Sequence, residues 1–255
     1  MKPAMQNLRL TLLVPLFCAL IIPSCKKKGS PSASSCKIIG MRDNIGSTTT
    51  TASLTYDNEG RVASEEISGS GNPTKEVFTY NGNIELVTRT YGGNTSTDSI
   101  VMNSDGLAEA DYYTDGSFQS LTTYTYSGNE VQTGTIQPVS GGVPETITTY
   151  NYTRANGNLI ASYNSTNATA EGFIYDTTKP SQPGDDWQIL QLTSYNYTFA
   201  RNANLITGTT TVSNGTAAPL EKFTYTFDNS GKITQMISTY AATTETISYQ
   251  YSCSN

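Results

Sequence analysis

Thr55-Tyr56-Asp57-Asn58-Glu59-Gly60-Arg61-Val62 joins an aromatic run to an aliphatic one through a polar turn, and Thr226-Phe227-Asp228-Asn229-Ser230-Gly231-Lys232-Ile233 does the same near the other end of the chain. Related turns stand at Asn81-Gly82-Asn83, Asn103-Ser104-Asp105-Gly106, Ser127-Gly128-Asn129, Ala155-Asn156-Gly157-Asn158 and Arg201-Asn202-Ala203-Asn204. Asn, Asp and Gly tolerate positive φ, and Asx side chains bond their own backbone, so each site reverses the chain without strain. The intervals suit one hairpin plus a return loop, which makes this a repeat that runs through the whole domain.

Aromatic residues alternate before these turns, at Phe78/Tyr80, Tyr124/Tyr126, Tyr150/Tyr152, Tyr195/Tyr197/Phe199 and Phe223/Tyr225/Phe227. A period of two puts each set on one sheet face and the intervening Thr, Ser and Asn on the other. After Cys25 the chain holds 39 threonines against 42 Val, Ile, Leu, Met, Phe and Trp together, with 17 tyrosines besides. Branched and aromatic side chains of this kind favour strands, and no stretch keeps a helical period. The reading is all-β: an antiparallel up-and-down meander of about 14–16 strands, each paired with its sequence neighbour, curled into a barrel or half-barrel. The modest apolar content suffices for a thin layer between sheet faces and not for a wide lumen.

The first residues read as a targeting segment. Lys2 and Arg9 precede a mostly apolar run from Leu10 to Ile22, the length of a signal-peptide core and too short to span a membrane. Leu20-Ile21-Ile22-Pro23-Ser24-Cys25 resembles the lipobox of bacterial lipoproteins, with Ile22 and Ser24 in the matching positions. That resemblance implies cleavage before Cys25 and lipid attachment on it. Residues 1–24 are then the signal peptide and 25–35, Lys26-Lys27-Lys28 and a Ser/Pro/Ala stretch, a tether. Residues 36–255 are the β-repeat domain. A cysteine followed by lysines and a Ser-rich tether is similar to lipoproteins of the Bacteroidetes, which places the chain in the cell envelope on the outer membrane.

Tyr56-Asp57-x-x-Gly60-Arg61-Val62 resembles the YD repeats of Rhs-type proteins. The layout from lipobox to last hairpin is more similar to Bacteroidetes lipoprotein domains of unknown function with a porin-like fold, which implies a curled sheet and no known activity.

Several chemistries are excluded. From Cys36 onward there are 10 Lys plus Arg against 21 Asp plus Glu, a balance that repels phosphate backbones, so no nucleic acid is expected. Histidine is absent, which removes His triads, His metal sites and the usual general base. Asp57, Asp105 and Asp228 are explained by turn chemistry, since calcium needs six to eight converging oxygens; no metal and no cofactor is expected. Glu65-Glu66, Glu109/Asp111/Asp115 and Asp185-Asp186 supply the acids of a glycosidase but not the required facing geometry, so no enzymatic activity is expected.

What remains is an envelope-anchored lipoprotein of structural or interaction role, contacting the membrane through its lipid and a glycan or another envelope protein. The alternative is a glycan-binding surface lipoprotein of a nutrient-uptake system. Candidate ligand contacts are Trp187, the single tryptophan, with Asp185 and Asp186, because this segment breaks the repeat and loops on a rigid sheet often carry function. An exposed row of tyrosines favours the glycan reading; two carboxylates facing each other in a pocket favour a hydrolase. Asp98-Ser99-Ile100 and Asp176-Thr177-Thr178 resemble the Bacteroidetes O-glycosylation triplet, with Ser99 and Thr177 as acceptors.

Cys36 opens the first strand and Cys253 ends the last, and both are thiols of an oxidising compartment. A disulfide between them clips the two free edges of the meander together and favours closure.

Overall fold

The computed structural model describes residues 36–69, 73–185, 202–213, 216–218 and 220–253. The signal segment, Cys25, the tether, Asp186, Trp187 and the run Tyr195/Tyr197/Phe199 lie outside the described residues. The strands are β1 (Cys36–Ile45), β2 (Thr48–Tyr56), β3 (Val62–Ser68), β4 (Thr74–Asn81), β5 (Ile84–Tyr91) and β6 (Asn94–Met102). They continue as β7 (Ala108–Asp115), β8 (Phe118–Ser127), β9 (Glu130–Ser140), β10 (Val143–Pro144), β11 (Thr148–Ala155) and β12 (Asn158–Asn164). The last are β13 (Thr169–Pro180), β14 (Asn204–Ser213), β15 (Thr216–Ala217), β16 (Glu221–Phe227), β17 (Ile233–Tyr240) and β18 (Thr243–Cys253).

All pairings are antiparallel, and sequence neighbours pair round the whole sheet. The two-residue strands β10 and β15 only extend hairpins, because β11 pairs β9 and β16 pairs β14 directly. The other sixteen strands form a ring, closed where β1 pairs β18 from Cys36↔Cys253 to Ile45↔Glu245. The expected disulfide is present at the edge of that seam, with the Cα atoms of Cys36 and Cys253 4.0 Å apart. The sheet is therefore a closed antiparallel barrel.

The two ends of the barrel are built differently. The proximal end, where Cys36 enters, carries the Asx turns. Asp57 Oδ1 accepts the amides of Glu59 and Arg61, and Asp228 Oδ1 those of Ser230 and Lys232. Asn103 Oδ1 accepts those of Asp105 and Leu107. The turn reading of Asp57 and Asp228 thus holds bond by bond. Return connections at the distal end, expected as loops, are mostly two-residue turns such as Gly46-Ser47, Gly92-Gly93, Gly116-Ser117 and Gly141-Gly142.

A second repeated device lies just inside the proximal turns. Ile38, Val62, Ala108, Leu159, Ile206 and Ile233 each stand at a one-residue slip of register. A bulge leaves one residue out of the ladder. In every case the side chain is buried inside the barrel, and its carbonyl accepts a tyrosine hydroxyl from a neighbouring strand. The pairs are Tyr56→Ile38, Tyr80→Val62, Tyr126→Ala108, Tyr175→Leu159, Tyr225→Ile206 and Tyr251→Ile233, at 2.5–2.8 Å. The β4–β5 hairpin has no slip, and the strand after it ends on Met102 where the others carry tyrosine. The aromatic alternation of the sequence is therefore a set of bolts between strand ends.

Replacing Tyr56 by Phe leaves the half-buried Ile38 carbonyl without this donor. Denaturant unfolding is expected to show a loss of about 1–2 kcal/mol. Tyr163→Phe, on an exposed ring, is expected to change stability by less than about 0.5 kcal/mol. Equal effects would remove the bolts from the account.

Candidate functional site

The inner face of the barrel is stratified, and strand alternation sets the strata. Nearest the proximal end is an apolar layer of Ile38, Leu54, Phe78, Val87, Ile100, Leu205, Phe223, Met236 and Ile247, backed by partly buried aromatics. These side chains are almost wholly covered, so this part of the barrel is a packed layer and not an open channel. Segment 181–185 tucks against it at the proximal end. Tyr251 donates to the Pro183 carbonyl at 3.1 Å, and Gly184 lies so close to Tyr249, Tyr251 and Ile233 that a Cβ there would sit 3.0–3.3 Å from them.

The next inward position toward the distal end is acidic on half of the ring strands. Asp43 follows Met41, Glu76 precedes Phe78, Asp98 precedes Ile100, Glu171 precedes Phe173, Glu221 precedes Phe223 and Glu245 precedes Ile247. Glu65 and Asp111 occupy the same stratum one residue later, because a bulge intervenes on β3 and β7. Arg89, beyond Val87, is the one cation of the layer among the described residues. It donates to Glu76 at 2.7 Å and pairs with Asp98. Glu221 accepts the hydroxyls of Ser238 at 2.6 Å and Thr209 at 3.2 Å, and Glu171 accepts that of Ser162 at 3.2 Å.

Glu65 and Glu76 oppose each other directly across β3 and β4. Glu65 is fully buried and, among the described residues, neither of its oxygens has a hydrogen-bond partner. Desolvation, with the Glu76 charge adding to it, pushes the Glu65 carboxyl up to about 8. Desolvation, with Asp98 adding, pushes Asp111 up to about 7. Glu65 is thus mostly protonated at neutral pH, and Asp111 is protonated only in part. Glu65 and Glu76 face each other but line neither of the clefts described below, so the geometry of a carboxylate pair working on a substrate is not met.

Beyond the acids, at the distal mouth, the same inward parity places Ile45, Tyr91, Phe118 and Tyr240, with Tyr113 packed 6.0 Å from Phe118. Tyr91 and Tyr240 are 54% and 44% exposed, and Tyr112 and Tyr163 on the outer face are 51% and 43% exposed. A cleft of about 580 Å³ opens beside Tyr91, with Ser53, Glu66, Ser68, Lys75 and Thr90 in its walls. Glu66 and Lys75 form an ion pair across it. A second cleft of about 420 Å³ lies at the proximal rim among Arg61, Tyr80, Asn83, Glu85, Asn103 and Ser104, where the Arg61 guanidinium sits 4.0 Å over the Tyr80 ring.

Of the residues singled out from sequence, Asp185 is buried and accepts the Ser181 hydroxyl at 2.6 Å and the Gln182 amide at 3.3 Å. It thus holds its own loop. Glu65 and Glu66 point to opposite faces of β3; Asp111 is buried while Glu109 and Asp115 are exposed. Ser99 sits in β6 beside the buried, Arg89-paired Asp98, whereas Thr177 is exposed on β13. Among the described residues no group of three or more acidic or thiol side chains is placed to hold a metal ion. Sequence reasoning missed the acid stratum and the aromatic mouth. The signal was there as a recurring acid-x-apolar triplet, Glu76-x-Phe78, Asp98-x-Ile100, Glu171-x-Phe173, Glu221-x-Phe223 and Glu245-x-Ile247.

No protein-family profile and no curated protein sequence matches the chain. Its fold matches solved structures. A porin-like protein from Bacteroides uniformis ATCC 8492 superposes with a TM-score of 0.63 at 15% identity, over 84% of this chain and 98% of that one. A porin-like protein from Bacteroides vulgatus ATCC 8482 does so with a TM-score of 0.57 at 14% identity, over the same shares. The fold is thus a porin-like β-barrel.

The buried acids set a pH dependence. A carboxyl whose folded pKa is raised binds protons more tightly folded than unfolded, so its contribution is full below the unfolded value and is lost as pH rises to the folded one. For Glu65 that window runs from 4.5 to about 8. The melting temperature is expected to fall as pH rises from 5 to 8.5, and Glu65→Gln to flatten that fall and stabilise the protein at the upper end. An unchanged slope in Glu65→Gln would contradict the assignment.

Proposed function

We propose that this porin-like barrel is an envelope-anchored, non-enzymatic receptor that captures a hydroxyl-rich glycan at its distal mouth, as part of a nutrient-uptake system. The observation that carries the reading is the exposed set of tyrosines at that mouth above a stratum of carboxylates and hydroxyls. Aromatic faces stack on the apolar faces of sugar rings, and carboxylates, Ser and Thr accept their hydroxyls. A cleft of about 580 Å³ adjoins that mouth on β2–β5, with its polar walls, Ser53, Glu66, Lys75 and Thr90, on the outer face; barrel mouths are a common place for small-molecule sites.

The rest of the molecule supports capture over conduction. Buried apolar side chains and the 181–185 segment occupy the proximal interior. The outward positions of the strands are largely Thr and Ser, as at Thr49, Thr51, Ser53 and Thr55 on β2 and Thr95, Thr97 and Ser99 on β6. A lipid-facing wall carries an apolar band between aromatic girdles, which this pattern does not supply. A water-facing barrel needs another attachment, and the lipobox at Ile22-Pro23-Ser24-Cys25 provides it. The tether joins the barrel at Cys36, on its proximal end. Trp187 stays a candidate ligand contact on its sequence alone, and Thr177, exposed on β13, is the accessible O-glycosylation acceptor.

The test is binding of the full chain to an array of neutral, acidic and amino glycans, beside Tyr91→Ala, Tyr240→Ala and Trp187→Ala. Retention of one glycan class is expected, with about a tenfold loss in the Tyr91 and Tyr240 variants. No retained glycan, or retention indifferent to both tyrosines, would overturn the proposal.

A further inference from the structure

We infer that the glycan taken at the distal mouth carries amino groups; the inference rests on the glycan reading and names its substrate class. A glycan entering this mouth meets the carboxylate stratum as soon as it passes the aromatic rim. Eight acids, one each on β1, β3, β4, β6, β7, β13, β16 and β18, share among the described residues the single cation of the layer, Arg89, which is already held by Glu76 and Asp98. Even with Glu65 and Asp111 neutral and one proton shared between Asp43 and Glu245, the carboxylates of the layer outnumber its guanidinium. In a partly desolvated recess such an excess repels uronic acids and sulfated sugars and attracts ammonium groups.

Glu65 supplies an independent sign. Fully buried, with both oxygens lacking a hydrogen-bond partner among the described residues, it is an acceptor the chain itself does not satisfy. Buried acceptors of this kind call for a donor. A point cation is disfavoured, because the acids are spread round the wall and no three converge among the described residues. A ligand with several separated N–H donors fits that spread. Glu171 on β13 is exposed, and Asp43 on β1, Glu245 on the neighbouring β18 and Glu221 on β16, one strand further round, are partly exposed; these are the first a ligand would meet.

The experiment is calorimetry of the full chain with a β-linked glucosamine tetramer, its N-acetylated counterpart and spermine, at roughly 0.05 and 0.5 M salt. The amine tetramer is expected to bind about tenfold tighter than the neutral one at low salt, with the advantage shrinking at high salt. Glu221→Gln/Glu245→Gln, and separately Asp43→Asn, should erode that advantage, weakening the amine tetramer more than the neutral one. A neutral tetramer that binds as well as the amine, or an advantage untouched in both variants, would overturn the inference and leave the glycan reading standing. Spermine binding without either saccharide would support the carboxylate site and overturn the glycan reading. Failure of all three ligands would overturn both.

Discussion

A meander of sixteen strands has two edges, each a row of unpaired amides and carbonyls, unless its first and last strands find each other. Here β1 and β18 pair along nine residue pairs and are clipped at Cys36–Cys253. Every other feature presupposes that ladder. Without it Ile38, Met41 and Asp43 would have no neighbours on one side, and the inner face would have no inside. The disulfide closes a separation of 217 residues, for which a chain-entropy view gives about 5 kcal/mol as an upper guide. Closure also decides which residues can be buried, since a chain with so few strong apolar residues has none to spare for covering two faces.

The inner face divides its work along the barrel axis. At the proximal end the bulges turn apolar residues inward, and tyrosines from neighbouring strands satisfy the carbonyls that the register slips set apart. Stability is concentrated there. Toward the distal end the same strands carry acids at the positions a core would fill with Leu or Val. Burying Glu65, Asp98 and Asp111 costs stability that Arg89 offsets most directly for its bonded partners, Glu76 and Asp98, and only in part for Glu65 and Asp111. A layer that weakens the fold at neutral pH and recurs on eight strands is more economically explained by a ligand than by packing.

Much of this was legible in the sequence. The Asx turns at Asp57, Asn103 and Asp228 and the alternating aromatics gave the hairpins, and the positions of Cys36 and Cys253 gave closure, because turn chemistry and period two act locally. The Tyr-to-carbonyl bolts were not legible: they join residues about 18 apart across a strand pair and depend on one-residue register slips, which leave no composition mark. The acid stratum escaped for a related reason. Attention to adjacent acids such as Glu65-Glu66 and Asp185-Asp186 favours neighbours that a strand sends to opposite faces or a loop spends on itself. The acids that do gather, Glu65, Glu76, Asp98 and Asp111, come from different strands, and only the register brings them together.

The central claim is that the proximal end holds the structure and the distal mouth does the binding. Hydrogen–deuterium exchange of the full chain, with and without a bound saccharide, tests it most directly. The account predicts that protection rises at the distal turns around 91–94 and 115–118 and in the adjoining ends of β1 and β18, with the proximal turns at 57–61, 103–107 and 228–232 unchanged. Protection gained at the proximal turns while the distal mouth stays unaltered would contradict it.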